Sequence, residues 1–282
     1  LVVPLVAYFL LPGNLTDLIS QSSVTGGAGA YLNPFMNGDR PYTFIEIFSQ
    51  LAWGFGYCGM PHVLVRFMAV KNEKELKKSW AIAIVWDLLS LTAAFAIAVI
   101  GRAYLLPVIL GENGAASSES VFIEMIRKVF TSELALPFIG GLFLCGILAA
   151  IMSTADSQLL VTASAVSEDL YHSFIKKDAD TEEILKVSRI TVIAIAVIAF
   201  AIAWNPDSSI MGLVSNAWAG LGSAFGPIVV MSLFWRRTNL PGAIAGMVTG
   251  GLTVIIWDYI PLVGGQTLGT YTGLYSLAVG FL

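Results

Sequence analysis

The sequence predicts an all-α integral membrane protein. Of its 282 residues, 56% are hydrophobic and only 12% are charged, and the mean hydropathy is +0.78. Several apolar segments reach the roughly 20 residues that a helix needs to cross about 30 Å of hydrocarbon. Alternating segments of the kind that form membrane β-barrels are absent from the sequence. We therefore expect helical spans, because a helix satisfies its own backbone hydrogen bonds in lipid.

In the first half of the chain, the sequence predicts the end of one spanning helix and then two complete spans. Residues 1–11 are typical of the last part of a spanning helix, and the Gly-, Ser- and Asn-rich residues 13–42 are typical of a water-exposed loop. Residues 43–70 form the second predicted span, whose middle, AWGFGYCGMPH, contains three glycines and a proline that should break the helix. A short basic loop at 71–79 precedes a third span at 80–104.

The next part of the chain predicts a surface helix followed by two spans. Within the polar connection at 105–133, the apolar residues of SESVFIEMIRKVF recur at helical spacing, so we expect a helix lying across the surface. A long apolar helix is predicted at 134–171. A loop at 172–186 and a further span at 187–204 follow it.

The last two predicted spans are rich in small residues. Residues 210–235 are expected to be interrupted at AGLGSAFGP, and the span at 242–259 contains Gly242, Gly246 and Gly250, whose spacing suits close helix contact. The chain begins and ends inside apolar segments. We therefore expect residues 1–282 to be one partial transmembrane domain of a longer polypeptide.

Basic residues fall on alternate loops of this predicted arrangement. They cluster at 71–78, 176–177 and 236–237. Alternate loops share one side of a membrane, and the excess of lysine and arginine marks that side as cytoplasmic. The loops at 13–42, 105–133 and 205–209 are then external.

Several other classes of protein are disfavoured. The net charge of −4 and the lack of a long basic run argue against a nucleic-acid partner. Cys58 and Cys145 lie in apolar segments without CxxC spacing, so neither a disulfide framework nor a thiolate metal site is indicated. No GxSxG, HExxH or P-loop motif is present, and Asp156 lacks the second aspartate of an aspartyl protease. We expect a protein that is not an enzyme and is surrounded by membrane lipid.

The interrupted second span is the strongest positional clue to a binding site. In lipid, irregular backbone is expected only where it faces protein, water or a ligand. Trp53 and Tyr57 are four residues apart and therefore share one face beside the freed backbone groups. These features favour a substrate site, with Trp218 and Phe225 on a later span flanking the same cavity. Ordinary packing of glycines and aromatic rings is the alternative, and the residues alone leave both open.

A second candidate site lies in the long apolar helix, where a row of polar side chains occurs at membrane depth. Two adjacent hydroxyls beside small residues can offer oxygen atoms to a monovalent cation that has lost its water. Alternatively, the hydroxyls only bond to carbonyls one turn earlier. An ionisable group inside a membrane favours an ion path. The row consists of Ser153, Thr154, Asp156, Ser157 and Gln158. By contrast, Asp258 near the end of a span is expected to be an ordinary solvated carboxylate.

Three long motifs follow one another in order along the chain. They are WGFGYCGMPHVLVRFMAV, AAIMSTADSQLLVTASAVSEDLY and AWAGLGSAFGPIVVMSLFWRRTNLPGAIAGM. Together they resemble the solute:sodium symporter family, and within it the sodium/proline symporter branch. The resemblance implies a LeuT-like fold with two inverted five-helix repeats, as in the bacterial leucine transporter. On this basis residues 1–11 end the first repeat, residues 43–235 form the second, and the remainder begins the accessory helices.

The resemblance also implies binding residues. Sodium would be held by the Ala150 carbonyl and the hydroxyls of Ser153 and Thr154, with its other ligands on a first-repeat helix. Asp156 and Ser157 stand where some relatives bind a second sodium ion. Substrate contacts would come from three residues of the broken span, to which we add Trp218 because its own span is expected to flank the cavity. These substrate-binding residues are Trp53, Tyr57, Pro61 and Trp218.

The resemblance implies a sodium-coupled symporter in the cell membrane that imports a small solute by alternating access. Na⁺ would be the coupling ion and L-proline the expected solute. Two alternatives remain at this point. One is a symporter of another solute, such as pantothenate or an osmolyte, and the other is a membrane sensor domain that keeps the transporter fold without moving its ligand.

Overall fold

The computed structural model describes residues 1–21, 26–105, 119–204, 209–262 and 265–282. Within these ranges five helices are long and apolar enough to cross a membrane, which agrees with the predicted all-α membrane fold. They are Glu73–Tyr104, Pro137–Ile175, Thr181–Ala203, Ile210–Phe234 and Leu240–Tyr259. The chain divides into two compact units, one formed by Leu1–Phe122 with Ser209–Leu282 and the other by Ile123–Ser208.

The predicted loop at 13–42 is largely folded. After the helix Val2–Phe9 come two short helices, Leu15–Gln21 and Gly27–Tyr31, and a hairpin that pairs Met36–Asn37 with Arg40–Pro41. Most of its described residues are exposed, as predicted, but it is not irregular, because the short helices bury apolar residues. Ile19 and Ala28 pack with Val99 and Ala103 of the helix Glu73–Tyr104.

The second predicted span is broken where its glycines and proline occur, as expected. It consists of Phe44–Leu51, Trp53–Gly56, a 3₁₀ turn at Tyr57–Gly59 and Pro61–Met68, and we call these pieces together the broken segment. Thr43 and Glu46 cap its start reciprocally, with the Thr43 N–H donating to the Glu46 carboxylate at 2.8 Å. Met60 is extended, and Pro61 starts the last piece because it has no N–H to donate.

The basic loop predicted at 71–79 is mostly helical. The Asn72 side chain accepts a hydrogen bond from the Glu75 N–H at 3.0 Å, so the helix Glu73–Tyr104 begins earlier than hydropathy suggests. Lys77 pairs with Glu73 at 2.8 Å, and Lys78 pairs with Glu75 at 3.0 Å. These pairs let a charged first turn continue into an apolar span.

The helix Ile210–Phe234, which we call the Trp218 helix, is continuous, so its predicted interruption at AGLGSAFGP was wrong. The small residues instead form a surface for close contact. A Cβ added at Gly222 would lie 2.7 Å from Gly56 Cα, and one added at Gly59 would overlap the Leu221 carbonyl. The Trp218 helix therefore packs directly on the broken segment.

The helix Leu240–Tyr259, which we call the glycine helix, packs on the Trp218 helix as its spacing predicts, although its three glycines differ. A Cβ at Gly250 would overlap the carbonyl oxygen of the buried Ser223, and a Cβ at Gly246 would make ordinary contact with Ile228 at 3.7 Å. Among the described residues, a Cβ at Gly242 would come within 4 Å only of Asn239, the residue that caps the start of the same helix. The first unit ends with Leu268–Thr272 and Ser276–Phe281.

The second unit begins within the amphipathic segment, at Ile123, and contains two spans. Val121–Ile126 leads into a π-helical stretch at Arg127–Glu133, as the apolar spacing predicts, and Phe130 stacks on Phe143. Pro137–Ser164, which we call the hydroxyl helix, continues in π-helical form through Ala165–Ile175. Thr181–Ala203 follows, which shortens the predicted loop.

The turn between these two spans is fixed by polar contacts. The Tyr171 hydroxyl donates to Glu183 Oε1 at 2.6 Å, and Lys176 Nζ pairs with Glu183 Oε2 at 2.6 Å. Residues 106–118 and 205–208 of the predicted external connections lie outside the described residues.

Candidate functional site

The break in the second span supports an aromatic cluster, which we define as Trp53, Tyr57 and Trp218. The rings of Trp53 and Trp218 are stacked with centroids 5.7 Å apart and an interplanar angle of 12°. Tyr57 meets the Trp218 ring edge-on, with centroids 4.8 Å apart. The structure thus brings together three of the four predicted substrate residues.

A hydrogen bond fixes the orientation of this cluster. The Trp218 indole N–H donates to the Trp53 backbone carbonyl at 3.1 Å. Gly56 makes the approach possible, because a Cβ at that position would overlap the Trp218 indole. Tyr57 remains 51% exposed. The fourth predicted residue, Pro61, is exposed at the start of Pro61–Met68 and is not one of the stacked rings.

The predicted sodium residues share one exposed face of the hydroxyl helix. Ala150, Ser153 and Thr154 occupy positions i, i+3 and i+4. The Thr154 hydroxyl donates to the Ala150 carbonyl at 3.3 Å. A hydroxyl that donates its proton keeps its oxygen lone pairs. This geometry is therefore compatible both with a structural hydroxyl and with a cation ligand.

The residues predicted for a second sodium ion lie on the same helix. The Ser157 hydroxyl donates to the Ser153 carbonyl at 3.0 Å, and Asp156 is exposed next to it. No group of three or more His, Cys, Asp or Glu side chains suited to a metal ion occurs in the described ranges. Any ion bound by these described residues would meet mainly hydroxyl and carbonyl oxygens.

Two cavities in the first unit involve residues that sequence reasoning did not select. An inner cavity of about 330 Å³ is bordered by Trp53, and an outer cavity of about 540 Å³ is bordered by the hairpin residue Asn37. Both are lined by Ser49, Gln50, Asp258 and Tyr275. An ionisable residue close to the end of a span was the available signal for Asp258, but nothing local indicated its distant neighbours.

Sequence reasoning also missed a carboxylate at the start of the Trp218 helix. Glu119 accepts hydrogen bonds from the Ser209 hydroxyl at 2.9 Å and from the N–H groups of Ile210 and Met211, both at 3.3 Å. The Ser209 hydroxyl, and then these two N–H groups, lower the pKa of Glu119 below its usual value. A negative charge is favourable where free N–H groups begin a helix.

Within the described residues, five helices long and apolar enough to cross a membrane define a helical membrane protein, in which the aromatic cluster lies at the break of a further segment. A model of the sodium:solute symporter family matches residues 23–250. The chain belongs to this family.

Individual relatives are similar over most of the chain. It is 45% identical over 238 residues to the osmoregulated proline transporter OpuE of Bacillus subtilis, covering 84% of the chain and 46% of that protein. It is 41% identical over 241 residues to the sodium/proline symporter of Escherichia coli, covering 85% and 45%. Sodium/proline symporter 2 of Staphylococcus saprophyticus is 39% identical over 290 residues, covering 100% and 54%. The chain thus spans about half the length of these curated relatives.

Proposed function

We propose that the protein containing this chain is a sodium-coupled symporter of the cell membrane that imports L-proline. The observation that carries the proposal is the stacked aromatic cluster at the break of the second span, in a family whose similar members are named as proline transporters or sodium/proline symporters. Solute and sodium are the partners of this activity, and no chemical conversion is involved.

The aromatic cluster has the chemistry for a small zwitterion with an apolar ring. Trp53 and Tyr57 offer flat apolar surface with a polar group at the edge. The extended backbone at Met60 interrupts the helix, and carbonyl or N–H groups freed at such a break can meet the charged ends of a solute. We assign Trp53, Tyr57, Pro61 and Trp218 to substrate binding.

The hydroxyl helix has the chemistry for the coupling ion. We assign the Ala150 carbonyl and the hydroxyls of Ser153 and Thr154 to one sodium ion, and Asp156 with Ser157 to a second. The exposure of these residues supports the assignment. A sodium ion needs further ligands, and another element can bring them only to a face that is exposed. We also propose that the fold is a LeuT-like inverted repeat, in which residues 43–235 form the second repeat of one partial transmembrane domain.

Coupling follows from linkage between the two ligands. If sodium holds the hydroxyl helix in the arrangement that favours solute binding, then the solute must strengthen sodium binding by the same factor. Inward sodium movement then drives uptake, and the membrane potential contributes about 2.3 kcal/mol per charge per 100 mV. Alternating access would release both ligands on the cytoplasmic side, where we place the basic loops.

Transport by the full-length protein in proteoliposomes tests the proposal. An inward sodium gradient should drive accumulation of labelled L-proline, and potassium should not replace sodium. A sensor would bind proline without accumulating it, and a symporter of another solute would accumulate pantothenate or an osmolyte instead. Absence of sodium-driven accumulation for every solute offered would overturn the proposal.

A matched set of variants tests the sodium residues. Thr154→Ala and Ser153→Ala should each raise the sodium concentration for half-maximal uptake by about tenfold or more, because each removes an ion ligand. Thr162→Ala is the control, since the Thr162 hydroxyl donates to the Gln158 carbonyl at 2.8 Å in the same local geometry. Equal sodium dependence in all three variants would contradict the assignment.

A further inference from the structure

A groove between the Trp218 helix and the glycine helix ends at the basic turn that connects these two helices. Its volume is about 380 Å³, which falls within the range of small-molecule sites, roughly 300 to 1,000 Å³. Pro227, Ile228 and Met231 line one wall, and Ala243 and Gly246 line the other. Because the second wall consists of small residues, a gap remains between the two helices, and its walls are apolar.

The groove has a length that fits within one leaflet of a membrane. Trp235 and Pro227, which line its two ends, are eight residues apart, and at 1.5 Å per residue this corresponds to about 12 Å along the helix. The hydrocarbon of one leaflet is about 15 Å thick, half of the full core. Trp235 is 55% exposed, and tryptophan is enriched where a membrane meets water. The groove therefore lies at the depth of the first carbons of a lipid chain, on the side where we place the basic loops.

Uncompensated positive charge lies at the outer end of the groove. Arg237 lines this end, and both Arg237 and its neighbour Arg236 are exposed. No ion pair within 4.0 Å involves either arginine in the described part of the chain, whereas Lys77, Lys78 and Lys176 of the other basic segments pair with glutamates. An arginine side chain can bind a phosphate group through two parallel hydrogen bonds. The groove thus combines apolar walls with a cation that suits an anionic amphiphile.

Hydrogen bonds on both sides of Arg237 hold the turn in place. The Thr238 hydroxyl lies within hydrogen-bond distance of two carbonyl oxygens at the end of the Trp218 helix, at 2.8 Å and 3.1 Å. The Asn239 side chain accepts a hydrogen bond from the Gly242 N–H at 2.9 Å and so caps the glycine helix. The backbone that carries Arg237 is therefore already ordered, which reduces the entropy lost when a ligand binds.

We propose that this groove binds an anionic phospholipid of the cytoplasmic leaflet, with the lipid phosphate on Arg237 and the first part of one acyl chain between the two helices. A free phosphate ion would leave the apolar walls uncovered. A zwitterionic lipid would bring its own cation next to Arg237 and Arg236, whereas an anionic headgroup brings none. The anionic surface of the cytoplasmic leaflet also attracts basic residues near it. This inference concerns the lipid and holds whichever solute the protein moves.

Native mass spectrometry of the purified full-length protein tests the charged end of this site. The protein is stripped of lipid in detergent and then offered equal amounts of phosphatidylglycerol and phosphatidylcholine. We expect the wild-type protein to retain phosphatidylglycerol preferentially. Arg237→Gln should bind it about tenfold more weakly, because glutamine cannot form the charge-assisted hydrogen bonds to phosphate. Lys177→Gln is the control and should leave binding unchanged, since Lys177 is also exposed but belongs to another basic loop and does not line the groove.

A second pair of variants tests the apolar walls. Ala243→Leu places a larger side chain in the groove and keeps Arg237, so it should also weaken the binding of phosphatidylglycerol. Ala245→Leu is the matched control, because Ala245 is exposed on the same helix and does not line the groove. Leucine is a good helix former at both positions, and the melting temperatures show whether each variant is folded.

Photolabelling of the wild-type protein locates the lipid without any variant. Phosphatidylglycerol with a photoreactive group on its acyl chain should label peptides that contain residues 227–231 and 243–246. Glycerol phosphate, which has the phosphate but no acyl chain, should not reduce this labelling at the same concentration.

Four outcomes would overturn the inference. Equal retention of the two lipids by the wild-type protein would show that Arg237 does not select an anionic headgroup. Equal binding by Ala243→Leu and Ala245→Leu would show that no acyl chain enters the groove. Labelling confined to other helices would mean that another part of the full-length protein covers the groove. Displacement of the lipid by glycerol phosphate would reduce the site to one that binds a phosphate ion.

Discussion

At the scale of single residues, Trp218 decides the form of the candidate site. Its ring fills the space over Gly56, its N–H donates to the Trp53 carbonyl, and its face stacks on Trp53. One side chain thus performs both apolar packing and hydrogen bonding. The consequence is that its two contributions can be separated by substitution.

Trp218→Phe should reduce the stability of the full-length protein while keeping an aromatic surface. Phenylalanine leaves the Trp53 carbonyl without its donor, which costs about 1 kcal/mol, so we expect a lower melting temperature and weaker proline binding. Trp204→Phe is the control, since Trp204 is 73% exposed and contacts only Phe200 among aromatic rings of the described residues. The same loss in both variants would show that the hydrogen bond has no special role.

Tyr57→Ala should weaken proline binding more than sodium binding. The variant removes an exposed ring and hydroxyl from the aromatic cluster and leaves the hydroxyl helix unchanged. Measurement of the proline KM at saturating sodium, and of the sodium requirement at saturating proline, separates the two effects. If both rise by the same factor, the substitution has disturbed folding and not the solute contact.

At the scale of elements, glycines determine which helices can touch. Gly250 lies against the Ser223 carbonyl, whereas a methyl group at the neighbouring Gly251 would meet no atom of another described element within 4 Å. Backbone cannot rotate away as a side chain can. The contact between the glycine helix and the Trp218 helix therefore depends on the absence of a side chain at one position.

Gly250→Ala should destabilise the full-length protein by about 1 to 3 kcal/mol, the usual cost of overpacking. Gly251→Ala is the matched neighbour, and it should be neutral or more stable by up to about 1 kcal/mol because alanine favours a helix. Thermal unfolding of both variants in detergent provides the comparison. Equal melting temperatures would contradict the close contact.

Glu119→Gln should loosen the first turn of the Trp218 helix. Glutamine keeps one acceptor oxygen but loses the charge, so we expect faster amide hydrogen exchange at residues 210–212, measured by mass spectrometry, with Glu133→Gln as an exposed control. The pKa of Glu119 is lowered, so its contribution is present above the usual glutamate pKa of 4.5 and is lost as the pH falls through the lowered value. Exchange at residues 210–212 that is equally fast in the variant and the wild-type protein at pH 7 would show that the Glu119 carboxylate does not stabilise this turn.

At the scale of the whole molecule, apolar side chains face outward along the spans. In the most apolar 18 consecutive residues of Thr181–Ala203, 0% of the residues are buried inside the described protein. In the corresponding stretch of Ile210–Phe234, 22% of the residues are buried. A helix with an exposed apolar surface is stable only where lipid or further protein covers it. These helices therefore belong in a membrane, as the family implies.

Uptake by the reconstituted full-length protein should depend on voltage. For each sodium ion moved with the neutral zwitterion, an inside-negative potential of about 100 mV contributes about 2.3 kcal/mol, which corresponds to about 50-fold more accumulation of proline at steady state. A potassium gradient with valinomycin sets the potential, and the same vesicles without valinomycin serve as the control. Accumulation that does not change with the membrane potential would contradict a net movement of positive charge during transport.

Sequence patterns alone predicted the helical membrane class, the position of the break at AWGFGYCGMPH, and membership of the family through three ordered motifs. The first two features are local, because hydropathy and the backbone preferences of glycine and proline act within one segment, and the motifs are read directly from the order of residues. The same local reasoning failed at AGLGSAFGP, where small residues serve contact and not unwinding, and it missed the short helices of residues 13–42, where Ile19 finds a distant core. Tertiary packing was needed to bring Trp218 onto Trp53, and to bring Asp258 to a cavity that Gln50 and Tyr275 also line. Such pairings depend on which surfaces meet, and no property of a single segment specifies its partner.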